Sequence, residues 1–148
     1  MIRQYSYILQ RYIEHDERIY KVYVLGDKIQ IGQKQSLPNL TNRGIEESHF
    51  YFDSQVSFNN HESFAKLSKG YKPLEIDQEI VQYLSSELNK KLKLSLFGFD
   101  LIREAKTGDY YLIDLNYFPG YTGFKDFKES LHSHFYRTYT GKDNAKPK

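Results

Sequence analysis

Two aspartates, Asp100 and Asp114, lie inside apolar, β-rich runs where a free carboxylate is unexpected. The segment 103–109 between the two runs contains the Gly and Asp typical of a hairpin loop, so the runs are predicted to pair antiparallel. Counting outward from a loop tip near Thr107 places Asp100 opposite Asp114. Directly opposed side chains have Cβ atoms about 4.5–5.5 Å apart, where like charges repel each other.

A divalent cation bound between the two carboxylates would relieve this repulsion. Asn116 follows Asp114 by two residues, so the strand period turns its amide oxygen to the same face as a third ligand. All three donors are oxygens, which suits magnesium rather than zinc. A hairpin whose aspartates line an exposed polar rim would give the same spacing, but three matched positions favour the metal site.

Composition limits the remaining possibilities. The 148 residues are enough for one domain with its own core. The sequence has no cysteine, which excludes disulfide frameworks and thiolate zinc sites and fits a reducing compartment. There is no apolar signal stretch and no membrane-span pattern, so a soluble, cytoplasmic protein is expected. Lys and Arg (21) nearly balance Asp and Glu (19), so a nucleic-acid partner is not expected.

Three strands are predicted before the metal hairpin, at 7–13, 19–25 and 28–31, and the last two are joined by a turn at Gly26 and Asp27. The polar stretch 37–72 is predicted to be a loop region with one short strand at 50–52. Lys21 lies in the middle of an otherwise apolar strand. Its ammonium either reaches solvent at a sheet edge, the commoner case, or points into a cleft that holds an anion.

Two helices are predicted. Asp77 caps the first, whose apolar residues fall on one face (Ile80, Val81, Leu84, Leu88). The second follows a turn at 118–120 and runs from Phe124 through Phe135. Residues 1–140 are therefore expected to form one α+β domain, an antiparallel sheet with flanking helices, and residues 141–148 a disordered tail.

Other sequence motifs are few. Lys34 and Ser36 follow a strand and suit phosphate binding, although both are also ordinary loop residues. The five histidines have no metal-ligand spacing. Neither a P-loop nor a GxGxxG pattern is present, which excludes P-loop and Rossmann enzymes.

Five segments resemble, in order and spacing, the C-terminal part of the inositol-tetrakisphosphate 1-kinase family, also called inositol trisphosphate 5/6-kinases: 10–15, 20–26, 36–39, 96–100 and 113–121. The last segment contains an Asp-x-Asn-x-Phe-Pro-Gly-Tyr string that is specific to this family among ATP-grasp proteins. The resemblance covers nearly the whole chain. It implies the C-terminal half of an ATP-grasp fold and a kinase that uses ATP and Mg²⁺ to phosphorylate a hydroxyl of an inositol tris- or tetrakisphosphate.

The resemblance also implies roles for individual residues. The stretch 10–21 would line the adenine pocket, with backbone groups of the connecting segment near the base. The individual ATP-binding residues would be Gln10, Arg11, Tyr12, Ile13, Lys21, Ser36 and Ser54. The inositol substrate would contact Lys21, Asn116 and Gly120, and the catalytic residues would be Lys21, Asp114 and Asn116. Magnesium would be held by Asp100, Asp114 and Asn116, which is the set that the residues alone predict.

The chain departs from the family pattern in two places. Lys34-Gln35 stands where the family usually has Arg-Pro, and the stretch 53–57 is one residue shorter, so Ser57 receives no role. The family's N-terminal domain and first ATP-grasp subdomain, with its phosphate loop, have no counterpart in these residues. Two alternatives therefore remain: a noncatalytic fragment that binds nucleotide and Mg²⁺ weakly or needs a partner N-terminal half, and an unrelated metal-binding β domain.

Overall fold

The computed structural model describes residues 8–40 and 71–141 of the chain. The elements in these ranges are β1 (Arg18–Leu25), β2 (Lys28–Gln35), α1 (Gln78–Leu92), β3 (Leu96–Arg103), β4 (Tyr110–Asn116) and α2 (Phe127–Thr140). The four strands form one antiparallel sheet in the order β2-β1-β3-β4. The predicted α+β class, an antiparallel sheet with flanking helices, is confirmed.

One face of the sheet packs against α1. Alternate residues of β1 and β3 form the main core there: Tyr20, Val22, Val24, Phe97, Phe99 and Leu101. Helix α1 contributes the buried Val81, with Leu84 and Leu88 beside it. The helix begins where predicted, because the Asp77 carboxylate accepts hydrogen bonds from the backbone N–H groups of Glu79 and Ile80.

Among the described residues, one end of the opposite face of the sheet is covered by α2 and the residues that precede it. Leu25 packs there against Tyr121 and Phe124, which precede α2, and against Phe127 within the helix. The Tyr121 hydroxyl donates a hydrogen bond to the Val24 carbonyl oxygen at 3.0 Å, and burial raises the pKa of Tyr121 to about 12. The other end of this face, toward the β3–β4 loop, carries the candidate functional residues.

Three expectations about the elements are wrong. Residues 8–13 are irregular rather than a strand, because their partners are loop residues: the Tyr12 hydroxyl donates to the Pro38 carbonyl. Strand β2 continues to Gln35, well beyond the predicted end at 31, because it pairs with β1 along its whole length. Helix α2 begins at Phe127 rather than at 124, because Asp126 has a left-handed backbone (φ 51°).

The sheet-edge interpretation of Lys21 is also wrong, because β1 lies between β2 and β3. The predicted strand at 50–52 lies outside the described residues, as do all residues of the predicted disordered tail 141–148 except Gly141. In the described ranges, no helix is long and apolar enough to cross a membrane.

Candidate active site

The strand register brings three charged side chains into one row across the sheet. Lys21 of β1 pairs with Asp100 of β3, and Asp100 pairs with Asp114 of β4. The predicted opposition of the two aspartates is therefore confirmed. Since these residues alternate with the core residues of β1 and β3, the row lies on the face opposite α1.

A β-bulge in β4 decides which way Asp114 points. Leu101 pairs with Leu112, whereas Asp100 pairs with Asp114, so the register shifts by one residue and leaves Ile113 without a paired residue on β3. A regular ladder would place Ile113 opposite Asp100 and turn the Asp114 carboxylate toward the apolar core face. The bulge is therefore what assembles the carboxylate pair.

Each of the two carboxylates has a hydrogen-bond donor of its own. The Lys21 ammonium donates to Asp100 Oδ2 at 2.7 Å, and the Asn116 amide donates to Asp114 Oδ2 at 2.6 Å. The Asp100 side chain is 15% exposed and that of Lys21 36% exposed, while Asp114 and Asn116 lie at the surface. The Lys21–Asp100 ion pair is thus partly shielded from solvent.

The donor set fits magnesium. The described residues contain no group of three His, Cys, Asp or Glu side chains that could hold a metal, so the ligands would be two carboxylates and one amide. Magnesium sites commonly use one or two carboxylates and complete their octahedron with water and substrate phosphates. Asp100, Asp114 and Asn116 supply such a partial set.

A cavity of about 560 Å³ lies on the same face, beyond the row. One wall is the irregular segment with Gln10, Arg11, Tyr12, Ile13 and His15, joined by Ser36 and Leu37. The opposite wall and floor are Ile19, Ile102, Tyr111, Leu112 and Ile113. Most of these lining side chains are apolar, which is typical of small-molecule pockets.

The irregular segment is fixed in place by hydrogen bonds to distant parts of the chain. Glu14 accepts one from the Ala105 backbone with its carbonyl oxygen and one from the Leu40 backbone with its carboxylate. Asn39 Oδ1 accepts from the backbone N–H of His15 at 3.1 Å. These hydrogen bonds therefore anchor the cavity wall to the β3–β4 loop and to the residues that follow β2.

A smaller cavity of about 260 Å³ adjoins the row on its other side. Its lining includes Lys21, Asp100, Asn116 and Gly120. Gly98 forms the floor, where a Cβ atom would lie 2.7 Å from Pro119 Cγ and 3.1 Å from the Val22 carbonyl oxygen. Glycine is therefore needed for the chain after β4 to pack so closely on β3.

The predicted site residues gather in these two cavities. Gln10, Arg11, Tyr12, Ile13 and Ser36 line the larger one, Lys21, Asp100, Asn116 and Gly120 line the smaller one, and Asp114 is bonded to Asn116. Ser54 lies outside the described residues. The roles assigned to all of these residues stay predictions.

Sequence reasoning gave no individual role to several cavity residues. Ile19 precedes Lys21 by two residues and Ile102 follows Asp100 by two, so strand alternation already places both beside the row. His15 lies within the stretch 10–21 that the resemblance assigns to the adenine pocket, but its burial depends on the fold of the irregular segment. His15 is buried (5% exposed), and this burial lowers its pKa below the usual value.

Comparison with known proteins places this geometry in a family. Residues 2–137 match the model of the inositol 1,3,4-trisphosphate 5/6-kinase ATP-grasp domain. The inositol-tetrakisphosphate 1-kinase of Danio rerio is 33% identical over 139 residues, which cover 86% of this chain and 33% of the relative. The Xenopus laevis protein of that name is 31% identical over 131 residues, with the same coverage.

The inositol-tetrakisphosphate 1-kinase 5 of Oryza sativa subsp. japonica is 32% identical over 151 residues, covering 95% of this chain and 43% of the relative. The chain thus spans about a third of the length of the first relatives it matches, the fish and frog proteins (33% each). The family match extends over nearly the whole chain, and the resemblance read from the sequence is confirmed. The chain belongs to the inositol 1,3,4-trisphosphate 5/6-kinase ATP-grasp family.

Proposed function

We propose that this chain supplies the nucleotide- and metal-binding part of a kinase that uses ATP and Mg²⁺ to phosphorylate a hydroxyl of an inositol tris- or tetrakisphosphate. One observation carries the proposal: the larger cavity and the carboxylate row share one face of the sheet. Ile19 and Lys21 are two residues apart on β1, and Ile102 and Asp100 are two apart on β3. Two residues along a strand span about 7 Å, so one extended ligand can reach both the larger cavity and the carboxylate row.

The larger cavity suits the adenine base. Its volume falls in the usual range for small-molecule sites, roughly 300–1,000 Å³. Ile19 and Ile102 would contact the faces of the base, and the backbone of residues 10–13 offers hydrogen-bonding groups for its edge. The base would thus be shielded from water on its faces and recognised by hydrogen bonds along its edge.

Lys21 lines the smaller cavity and lies two residues from Ile19, which lines the larger one. Its ammonium stands beside the Asp100 carboxylate and faces the smaller cavity, which Asn116 and Gly120 also line. A phosphate group in either cavity would lie within reach of this cation. We therefore assign Lys21 to both the ATP phosphates and the inositol polyphosphate.

Asp100, Asp114 and Asn116 would hold Mg²⁺, which when bound neutralises charge on the transferring phosphoryl group. The chain's own contribution is to fix these three side chains. The bulge in β4 sets Asp114, and the ladder between β1 and β3 sets Asp100 against Lys21. Under this proposal the partners are two small molecules, ATP and the inositol polyphosphate, and the compartment is the cytoplasm.

Titration calorimetry of ATP with and without Mg²⁺ tests the nucleotide and metal roles. Magnesium should strengthen ATP binding to the wild-type chain, and Asp114→Asn should remove most of this effect because an anionic ligand is lost. Asp109→Asn, in the exposed β3–β4 loop, is the matched control and should behave as the wild type. An equal magnesium effect in all three proteins would contradict the metal assignment.

The substrate class is tested with Lys21→Ala and inositol tris- and tetrakisphosphates. This variant should bind both ATP and the inositol polyphosphate more weakly, whereas Lys28→Ala on the neighbouring strand should not, because the Lys28 ammonium donates to Ser130 within α2. Phosphate transfer from ATP to the inositol polyphosphate would be followed in the same samples. Equal small effects of both substitutions would refute the assignment of Lys21.

A further inference from the structure

The wall of the larger cavity contains a histidine–serine pair whose hydrogen bonds have a defined direction. We propose that His15 is a positioning residue that fixes the Ser36 hydroxyl as a hydrogen-bond acceptor toward the cavity. Ser36 then selects a donor group of the nucleotide, either a ribose hydroxyl or the adenine amino group. The inference rests on the proposed nucleotide site and adds the direction of one of its hydrogen bonds.

The tautomer of His15 follows from its partners. Nδ1 lies 2.6 Å from the Ile13 carbonyl oxygen, which can only accept, so Nδ1 carries a proton. Burial lowers the pKa of His15. The hydrogen bond to the Ile13 carbonyl, followed by the carboxylates of Glu14, Asp16 and Glu17, opposes this shift, but burial has the largest effect. The imidazole is therefore neutral at pH 7, and Nε2 has a lone pair instead of a proton.

The neutral tautomer fixes the direction of the next hydrogen bond. Nε2 lies 2.9 Å from Ser36 Oγ. Since Nε2 can only accept, the Ser36 hydroxyl must donate to it, and a hydroxyl has one proton. Only its lone pairs remain for a ligand in the cavity that both residues line. At this position the ligand is therefore expected to present a hydrogen-bond donor rather than an acceptor such as a phosphate oxygen.

The pair is held rigidly. Asn39 Oδ1 accepts from the backbone N–H groups of His15 and Asp16, at 3.1 and 2.8 Å, and Asn39 Nδ2 donates to the Asp16 carboxylate at 2.8 Å. On the other side, the Ser36 backbone N–H donates to the Glu17 carbonyl at 2.8 Å. Both backbones are fixed, and turning the imidazole away from Ser36 would also break its hydrogen bond to the Ile13 carbonyl.

Nucleotide analogues locate the selected donor. The affinities of ATP, 2′-deoxy-ATP, 3′-deoxy-ATP and inosine triphosphate would be measured by calorimetry for the wild-type chain and for Ser36→Ala. One analogue should bind the wild type about 2- to 10-fold more weakly than ATP, the usual range for one hydrogen bond, and this loss should vanish in Ser36→Ala. Equal binding of all four ligands, or a loss that persists in Ser36→Ala, would overturn the inference.

The pH profile separates positioning from simple packing. Discrimination against that analogue should fall as pH drops and His15 binds a proton, because Nε2–H then donates to Ser36 and frees the serine proton. His15→Ala should discriminate less than the wild type at neutral pH and show no such profile. His132→Ala, at an exposed site on α2, should match the wild type. A pH-independent discrimination would overturn the inference.

One readout does not depend on nucleotide binding or on any variant. Long-range ¹⁵N–¹H NMR spectra of the free chain report which imidazole nitrogen of His15 is protonated. The Nδ1–H form at neutral pH supports the inference, and the Nε2–H form or the imidazolium overturns it. A wild-type chain that binds no ATP would instead count against the proposed function, and the spectra would still decide the tautomer.

Discussion

Under the proposed function, the Lys21 ammonium, which donates to Asp100 at 2.7 Å, competes with Mg²⁺ for this carboxylate. Lys21→Met keeps most of the aliphatic stem, so little packing is lost, but it leaves Asp100 without its ion-pair partner and facing Asp114. Exposed ion pairs contribute about 0–1 kcal/mol, and breaking buried ones costs about 3–5 kcal/mol. The side chains of this pair are 36% and 15% exposed, so its burial lies between these two cases. Without metal, Lys21→Met should therefore lose about 1–3 kcal/mol of unfolding free energy.

The reverse substitution should cost less. Asp100→Asn leaves a lysine whose ammonium is more exposed than the Asp100 carboxylate and can turn toward water. It also removes the repulsion between Asp100 and Asp114. We therefore expect a loss of less than about 1 kcal/mol, at the level of an exposed pair.

Magnesium should reverse the cost of Lys21→Met. Since the ammonium competes with the metal for Asp100, its removal should strengthen Mg²⁺ binding, and each tenfold gain in affinity adds about 1.4 kcal/mol of stability at saturating metal. Calorimetric melting at several Mg²⁺ concentrations and constant ionic strength measures this. A gain of 1 kcal/mol corresponds to a rise in Tm of roughly 2–4 °C for a domain of this size.

The matched control is Lys91→Met, at an exposed position near the end of α1. It changes the net charge equally but should alter neither stability nor the magnesium response by more than a few tenths of a kcal/mol. If Lys21→Met melts like the wild type without metal and responds to Mg²⁺ no more strongly, the competition between ammonium and metal is refuted.

Gly98→Ala should lose about 1–3 kcal/mol in denaturant unfolding, because its Cβ clashes with the proline that covers β3, whereas Gly32→Ala, with no atom within 4 Å, should lose nothing. Equal effects of the two substitutions would show that the close packing at Gly98 does not limit which side chain this position can hold. Tyr121→Phe should lose about 1 kcal/mol by removing the hydrogen bond to Val24, and an unchanged Tm would contradict this. The difference in unfolding free energy between the wild type and His15→Ala should have its full value above about pH 6.5. It should shrink as pH falls through the lowered folded-state pKa of His15, because the unfolded chain binds the proton first. A constant difference between the two unfolding free energies from neutral to acidic pH would refute the assigned direction of that shift.

The sequence alone determined the features that depend on short spacing. Strand alternation and the Gly26 turn predict the β1–β2 hairpin, and Asp77 predicts the start of α1, because each depends on contacts within a few residues. The opposition of Asp100 and Asp114 was also predicted correctly. The bulge that achieves it could not be foreseen, because it reflects how β4 fits against β3.

Tertiary structure decided what depends on partners distant in the chain. Segment 8–13 contains strand-like residues, yet it becomes a cavity wall, because Tyr12 is hydrogen-bonded to a carbonyl 26 residues away. Whether Lys21 lay at an edge or beside Asp100 depended on which strand took the place next to β1. Local propensity cannot specify such choices, since they are set by packing and hydrogen bonds between segments that meet only in the folded chain.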